Sequence, residues 1–287
     1  MKGSSRPLSG FKTIGIEDLL YEMKYKETKL KEIAYYDHCA REQLAKHSHV
    51  QAGVDFEGFN PLVLKSFRFC YELVERYSRN KRILDYGCGN GIHAVFLAKI
   101  GREVVGVDLS KPSLELAHQR MKGTGLQKKT SFLVMDCEHM DFPKNSFDVA
   151  FDGGTMYALN LEKAFPEVAR VLKPEGIFIG IETLGHNPFT NIKRKINYMR
   201  GKRTAWALEH IFQMRDIEKA QQYFERVEPY FFHLLSWVAF PFLFLPGGKI
   251  LLWLFELIEQ PLLRMPWLKK YAFKVVLVCS IPKRPQP

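Results

Sequence analysis

Through the middle of the chain, short apolar runs alternate with longer stretches of helical periodicity. Residues 82–85, 103–108, 130–135, 147–151 and 176–182 read as strands, and helices are expected between most of them. Strands alternating with helices predict a parallel, doubly wound α/β sheet. Ser110 with Pro112 opens one crossover helix. Another runs to Leu172, before Lys173-Pro174-Glu175-Gly176, and Pro166 inside it marks its true start or a kink. Upstream, residues 17–46 are charge-rich with periodic apolar positions (Leu19, Leu20, Met23, Leu30, Ile33) and read as one or two helices. Asn60-Pro61 starts a further helix, with Leu64, Phe67, Cys70, Leu73, Val74 and Tyr77 on its buried face. Residues 226–232 and 274–280 are two more strands. The expected organisation is a flexible tail over 1–16, an N-terminal helical cap over 17–80 and an α/β core over 81–182. A helical insertion on the substrate side follows over 183–225, then the last two strands with an apolar helical insertion over 226–287. No linker separates independent domains.

That last connection is unusual. Residues 229–248, PYFFHLLSWVAFPFLFLPGG, contain no Asp, Glu, Lys or Arg, and KILLWLFELIEQPLLRMPWLKKY follows. A membrane-spanning helix needs about 20 apolar residues, and Pro241, Pro246, Gly247 and Gly248 interrupt this run. Apolar helices returning to the final strand fit better, with Lys249, Glu256 and Gln260 on one side. Three readings are open: a subdomain core packed on the N-terminal helices, the wall of a pocket for a hydrophobic substrate, or a dock on a membrane surface.

Composition narrows the class. A chain of 287 residues, 46% hydrophobic and 25% charged, is an ordinary soluble globular protein with one substantial core. The opening MKGSSRPLSG has no apolar segment of the secretory kind. Five cysteines, with no CxxC pair, fit reduced thiols in the cytoplasm. His47 and His49 form an HxH without a second ligand cluster and read as surface residues, so no metal is expected. The net charge is +11, and the part from Ile181 onward holds 16 Lys/Arg against 8 Asp/Glu. Such a basic third points to an anionic substrate or membrane surface, with solubility as the plain alternative.

The candidate chemistry lies in ILDYGCGNGIHAVFLAKIGREVVGVDLS, residues 83–110. A strand ending at Asp85 and meeting Gly87, Gly89 and Gly91 must turn sharply into a helix whose free N–H groups face a ligand. Asp108 ends the next strand 17 residues after Gly91, where a carboxylate accepts from both ribose hydroxyls. A nucleoside fits this pair. The acid inside the loop disfavours the pyrophosphate of a dinucleotide and suits a ligand with an ammonium group.

This segment resembles the first motif of class I S-adenosylmethionine-dependent methyltransferases. VVGVDLS (104–110), FLVMDCEHM (132–140), SFDVAF (146–151) and RVLKPEG (170–176) resemble the later motifs, in order. The resemblance covers residues 82–182 and is of the methyltransferase type 11 kind; an NP…R…RT…EH arrangement further on is similar to a bacterial subgroup of unassigned substrate. It implies a Rossmann-like, mostly parallel seven-stranded sheet, the last strand antiparallel to the sixth. It also implies S-adenosylmethionine as cofactor, leaving as S-adenosylhomocysteine. Asp85, Gly87 and Gly89 would face the methionine moiety, Asp108 the ribose, Leu109 the adenine ring and Asp136 the adenine amino group, with Cys137 nearby. Asp136 as a turn cap is the plain alternative. Glu175 departs from the pattern, standing where a second glycine is usual.

Ligands of open parallel sheets bind beyond the carboxyl ends of the strands, so the segments leaving those ends are candidate walls. A hydroxyl or carbon acceptor needs a general base; His186 and His210 are the candidates, with Glu182 and Tyr157 behind them. Tyr35 and Tyr36 are placed to close over the cofactor or to pack in the core. Arg194 and Arg203 are an anion clamp or solvated helix residues. The expected function is methyl transfer to a small, hydrophobic or lipid-like molecule, in the cytoplasm or peripheral to the membrane; the acceptor atom and oligomeric state stay open. Two alternatives stand: a non-catalytic nucleotide-binding or scaffold protein on this fold, and an RNA methyltransferase, for which charge is the only sign.

Overall fold

A computed structural model describes residues 16–46, 61–243 and 245–284 of the chain. The tail up to residue 15, His47, His49, Asn60 and the side chains of Leu19 and Leu20 lie outside the described residues.

Ile16–Ala45 is one continuous helix, α1, rather than two. The rest runs α2 (Pro61–Ser78), β1 (Arg82–Tyr86), α3 (Ala94–Ile100), β2 (Glu103–Asp108), α4 (Lys111–Met121), β3 (Thr130–Val134), β4 (Phe147–Asp152), α5 (Leu161–Val171) and β5 (Leu172–Thr183). Then come α6 (Pro188–Met199), α7 (Ala205–Glu209), α8 (Met214–Tyr223), β6 (Phe224–Phe232), α9 (Gly248–Leu262), α10 (Pro266–Lys269) and β7 (Lys274–Pro282). The seven strands form one sheet in the order β3-β2-β1-β4-β5-β7-β6. β1 to β5 pair in parallel, and β7 runs antiparallel to both β5 and β6. This is the doubly wound arrangement expected, seventh strand included.

Helices cover both faces, so the central strands are buried on both sides and read as continuous apolar runs. On one face Cys70 and Val74 of α2, the apolar side of α3, and Leu114 and Ala117 of α4 pack on Ile83, Val104 and Val149. On the other, Phe165 and Val168 of α5 and Ile217 and Ala220 of α8 pack on the opposite side of the sheet. Pro166 is not the start of α5: Asn160 caps the helix by accepting from Glu162 N, and Pro166 falls inside it. The strand expected over 176–182 begins earlier, because Leu172 already pairs with Phe147.

The connection from β6 to β7 holds a small core of its own, Ala239 and Leu252 with Leu243, Leu251 and Phe255 packed against them, and the face of α9 turned to the protein also carries buried Glu259. That carboxylate accepts from His233 N at 3.2 Å, Leu235 N at 2.8 Å and Ser236 N at 3.1 Å, which satisfies backbone donors at the turn. The apolar stripe of Ile250, Trp253, Leu254, Leu257 and Ile258 faces outward, each 41–65% exposed. No helix among the described residues is long and apolar enough to cross a membrane.

Candidate active site

The strand β1 delivers the chain into three glycines with left-handed φ: Gly87 (+66°), Gly89 (+49°) and Gly91 (+70°). Two of them are fixed by crowding as well as by φ. A Cβ on Gly87 would lie 2.3 Å from Thr155 Oγ1, and one on Gly91 would lie 2.7 Å from Ala117 Cβ. Around Gly89 nothing stands within 4 Å of that position, so its backbone is open to the adjoining space.

Asp108, at the carboxyl end of β2, clasps this loop. Its Oδ2 accepts from Gly89 N at 2.9 Å and its Oδ1 from Ser110 N at 2.8 Å. Burial raises its pKa, and backbone donors at Ser110, Gly89 and Leu109 oppose that rise. Ser110 Oγ in turn donates to Asp37 of α1 at 2.6 Å.

Over the loop lies a cavity of about 240 Å³, walled by Gly87, Gly89, Asp108, Leu109, Met135 and Cys137 on the sheet side and by Lys29, Glu32, Ile33 and Tyr36 of α1 above. A second hollow of about 340 Å³ continues past Gly87 and Gly89 toward Asn90, His93 and Gly153. The α1 roof is pinned at several points. Lys29 Nζ donates to Asp136 Oδ1 at 2.8 Å and Oδ2 at 2.7 Å and pairs with Glu138 at 3.0 Å. Tyr25 hydroxyl donates to Glu138 and Tyr36 is hydrogen-bonded to Tyr157.

The expected site residues fall into two groups. Gly87, Gly89, Asp108, Leu109, Cys137 and Tyr36 line the cavity with Tyr157. Asp85 and Asp136 do not. Asp136 gives both oxygens to Lys29, and Asp85 lies behind the loop, 1% exposed. Asp85 Oδ2 has no hydrogen-bond partner among the described residues. Burial, with Asp152 and then Asp108 nearby, pushes its pKa up to about 8. Asp152 and Glu182 are equally deep; burial first, and for Glu182 then its neighbour Asp152, raise both, Asp152 to about 6. Glu182 accepts from Met156 N at 2.7 Å, beneath the cavity floor rather than in it.

The histidine candidates also part. His186 Nε2 accepts from Met214 N at 3.2 Å, holding the start of α8. His210 stacks on Trp206 with ring centroids 3.3 Å apart. It lines a neighbouring cleft of about 280 Å³ with Tyr25, Asn160 and Arg215. Tyr157 walls both that cleft and the glycine-loop cavity. Arg194 is neither clamp nor solvated residue: it is buried, donating to Leu184 O at 2.8 Å and to Asn191. Arg203 sits 5.8 Å from the centre of the Tyr157 ring.

Sequence reasoning missed Lys29, Glu32, Thr155 and His93. His93 hydrogen-bonds Tyr71 at 2.5 Å, its ring lies where a Gly153 side chain would be, and burial lowers its pKa to about 4, so it is neutral at pH 7. The α1 residues had a signal: Tyr25, Lys29, Glu32, Tyr36 recur at helical spacing on one face.

A sheet in this order, with a glycine loop after β1 and a clasped acid after β2, defines the class I methyltransferase fold. Residues 84–180 match a family model described as a methyltransferase domain. Through that region the chain is similar to class I S-adenosylmethionine-dependent methyltransferases. Among curated relatives, it is 32% identical over 113 residues to the sterol 4-C-methyltransferase strm-1 of Caenorhabditis elegans, covering 39% of this chain and 34% of that protein. It is 32% identical over 149 residues to the methyltransferase GfsG of Streptomyces halstedii, covering 50% and 54%. The chain thus spans between a third and just over half of these relatives. Two solved structures share the fold. The [4+2]-cyclase SpnF has a TM-score of 0.55 at 18% identity, covering 88% of this chain and 95% of that one. A geranyl diphosphate C-methyltransferase from Streptomyces coelicolor, solved with Mg2+, geranyl diphosphate and S-adenosyl-L-homocysteine, has a TM-score of 0.51 at 17% identity, covering 76% and 79%.

Proposed function

We propose that the protein transfers a methyl group from S-adenosylmethionine to a small hydrophobic or lipid-like molecule. The observation that carries this reading is the Asp108 clasp, which holds Gly89 and Ser110 at the rim of a cavity lined also by Leu109, Met135 and Ile33. The free lone pairs of Asp108 would accept from the ribose hydroxyls, and Leu109 and Met135 would flank the adenine. Asp136 would take the adenine amino group alongside Lys29. Asp85 acts from behind the loop, favouring a cationic ligand through its field rather than by contact. S-adenosylmethionine, when bound, supplies an electrophilic methyl group on a sulfonium. The chain's own part is to orient the acceptor and exclude water; α1, pinned through Lys29, Tyr25 and Tyr36, would close the cofactor side, and the cleft shared through Tyr157 would hold the acceptor. His210 and Tyr157, which share that cleft, are the proposed acid–base groups; His186 and Glu182 are assigned structural roles. Relatives that methylate sterols favour an apolar acceptor.

The reaction is assigned to the cytoplasm, with contact to membranes peripheral only. Titration calorimetry with S-adenosylmethionine and S-adenosylhomocysteine tests the reading, followed by mass spectrometry of cell extract incubated with a methyl-labelled cofactor. Binding of both with no labelled product would favour the non-catalytic alternative. No heat with either would remove the cofactor assignment.

A further inference from the structure

Two helices that leave the ligand end of the sheet expose apolar rather than polar faces. On α9 the outward stripe is Ile250, Trp253, Leu254, Leu257 and Ile258, spaced i, i+3, i+4, i+7, i+8, which covers about a third of the helix circumference. Just beyond it, Met265 and Trp267 are 41% and 64% exposed. On α6 the same holds for Phe189, Ile192, Ile196 and Met199, exposed by 37–68%. The two stripes belong to one structure: Phe189 at the start of α6 stacks on Trp237 with centroids 4.6 Å apart. Trp237 lies in the turn Ser236–Phe242, which packs against α9 through Ala239 and Leu252. A typical soluble monomer does not place so many large apolar side chains outward on adjoining helices.

Charge identifies what meets this surface. Residues 188–203, α6 and its exit, carry six Lys/Arg, five of them besides buried Arg194, and no Asp or Glu. Lys249, Arg264, Lys269 and Lys270 lie along and beyond α9. The only acids of α9 are occupied: Glu256 lies 3.9 Å from Lys65, and Glu259 is buried on backbone donors. Apolar stripes with tryptophans among basic residues, on helices too short to span, are the pattern of an interfacial helix on an anionic bilayer. A second copy of the chain would set these basic residues against one another.

We propose that α6 and α9 together form a membrane-seating surface that binds anionic lipid bilayers, with the α9 stripe inserted at the headgroup boundary and Trp253 and Trp267 at its level. This deepens the reading of peripheral contact and does not depend on methyl transfer. Both helices follow strand ends on the side where ligands of such sheets bind (α6 after β5, α9 after β6), so the surface lies on the side from which a lipid-like acceptor would enter.

The test is vesicle co-sedimentation with the full chain, using phosphatidylcholine vesicles with and without phosphatidylserine. Binding is expected to the anionic vesicles, weakened by salt, with a blue shift of tryptophan emission. The double variant Leu257→Ser/Ile258→Ser should lower vesicle affinity by at least about tenfold, while S-adenosylhomocysteine affinity and the circular dichroism spectrum stay unchanged. Replacing Lys195 and Lys270 by Gln should reduce binding to anionic vesicles alone. Failure to bind anionic vesicles at low salt would overturn the proposal. So would equal binding by the double variant, or a dimer in sedimentation that the double variant dissolves. Loss of cofactor binding by wild-type protein that still binds vesicles would instead strike the methyltransferase reading.

Discussion

Replacing Asp108 by Asn tests the clasp with a change of one atom. The wild-type carboxylate accepts from Gly89 N at 2.9 Å and from Ser110 N at 2.8 Å. An amide has one acceptor oxygen, so one of these N–H groups would face an NH2 donor. A hydrogen bond to a charged acceptor contributes about 1.5–3 kcal/mol, and an unmade one leaves a desolvated donor. The amide also accepts from at most one ribose hydroxyl well. Loss of one charged contact and weakening of another amounts to about 3 kcal/mol, or roughly a hundredfold in affinity. Fold stability should change far less, because burial already opposes the charge on Asp108. Calorimetry with S-adenosylhomocysteine, beside a thermal melt, reads both quantities. A variant that melts like wild type and binds within about threefold of it would refute the ribose assignment, since two lost contacts of this kind cannot cost so little.

Asp85 has a folded pKa raised to about 8, against an ordinary value near 3.9 in the unfolded chain. The folded state therefore holds the extra proton between those values, and the stability of the ligand-free protein falls as pH rises from about 4 to about 8. Asp85→Asn should show a gain in melting temperature over wild type that grows across that window. At pH 7, cationic cofactor should displace a proton from wild type and none from the variant, measured by calorimetry in buffers of different ionisation enthalpy. Lys29→Met leaves Asp136 and buried Glu138 without their shared cation and should cost about 3 kcal/mol in the seating of α1, seen as faster hydrogen exchange over residues 22–45. Gly87→Ala and Gly201→Ala form a matched pair, both at φ +66°. The first meets Thr155 at 2.3 Å and the second meets nothing, so Gly201→Ala should cost about 1 kcal/mol of strain and Gly87→Ala several times that.

The order of strands, the glycine loop and the acid after β2 were legible because each is local: a few consecutive residues state the turn, the strand end and the helix start. Asp108, Leu109 and Cys137 line the cavity as their neighbours in sequence imply. The roof of the site was hidden by its chemistry. The face of α1 that meets the cavity carries Lys29, Glu32, Ile33 and Tyr36, so it leaves little mark on a hydrophobic pattern, and its partners lie more than 100 positions away (Lys29 with Asp136). The direction of α9 was hidden for another reason. An apolar stripe at helical spacing states that one side differs from the other; it does not state which side meets protein, and here a buried glutamate holds the inner face. The bracing contacts of His186 and Arg194 were not legible, because their partners are backbone groups of other segments.

Phe232 and Lys274 are partners on one rung of the β6–β7 pair, and Phe273 N donates back to Phe232 O at 3.0 Å. Everything between them departs from and returns to a single point on the sheet. It is a hairpin with an overgrown tip. The entropy of closing such a loop rises only with the logarithm of its length, so the tip can be lengthened, trimmed or exchanged while the rungs beneath stay in register. Grafting a tight turn across that rung should therefore yield a smaller protein whose central scaffold still stands.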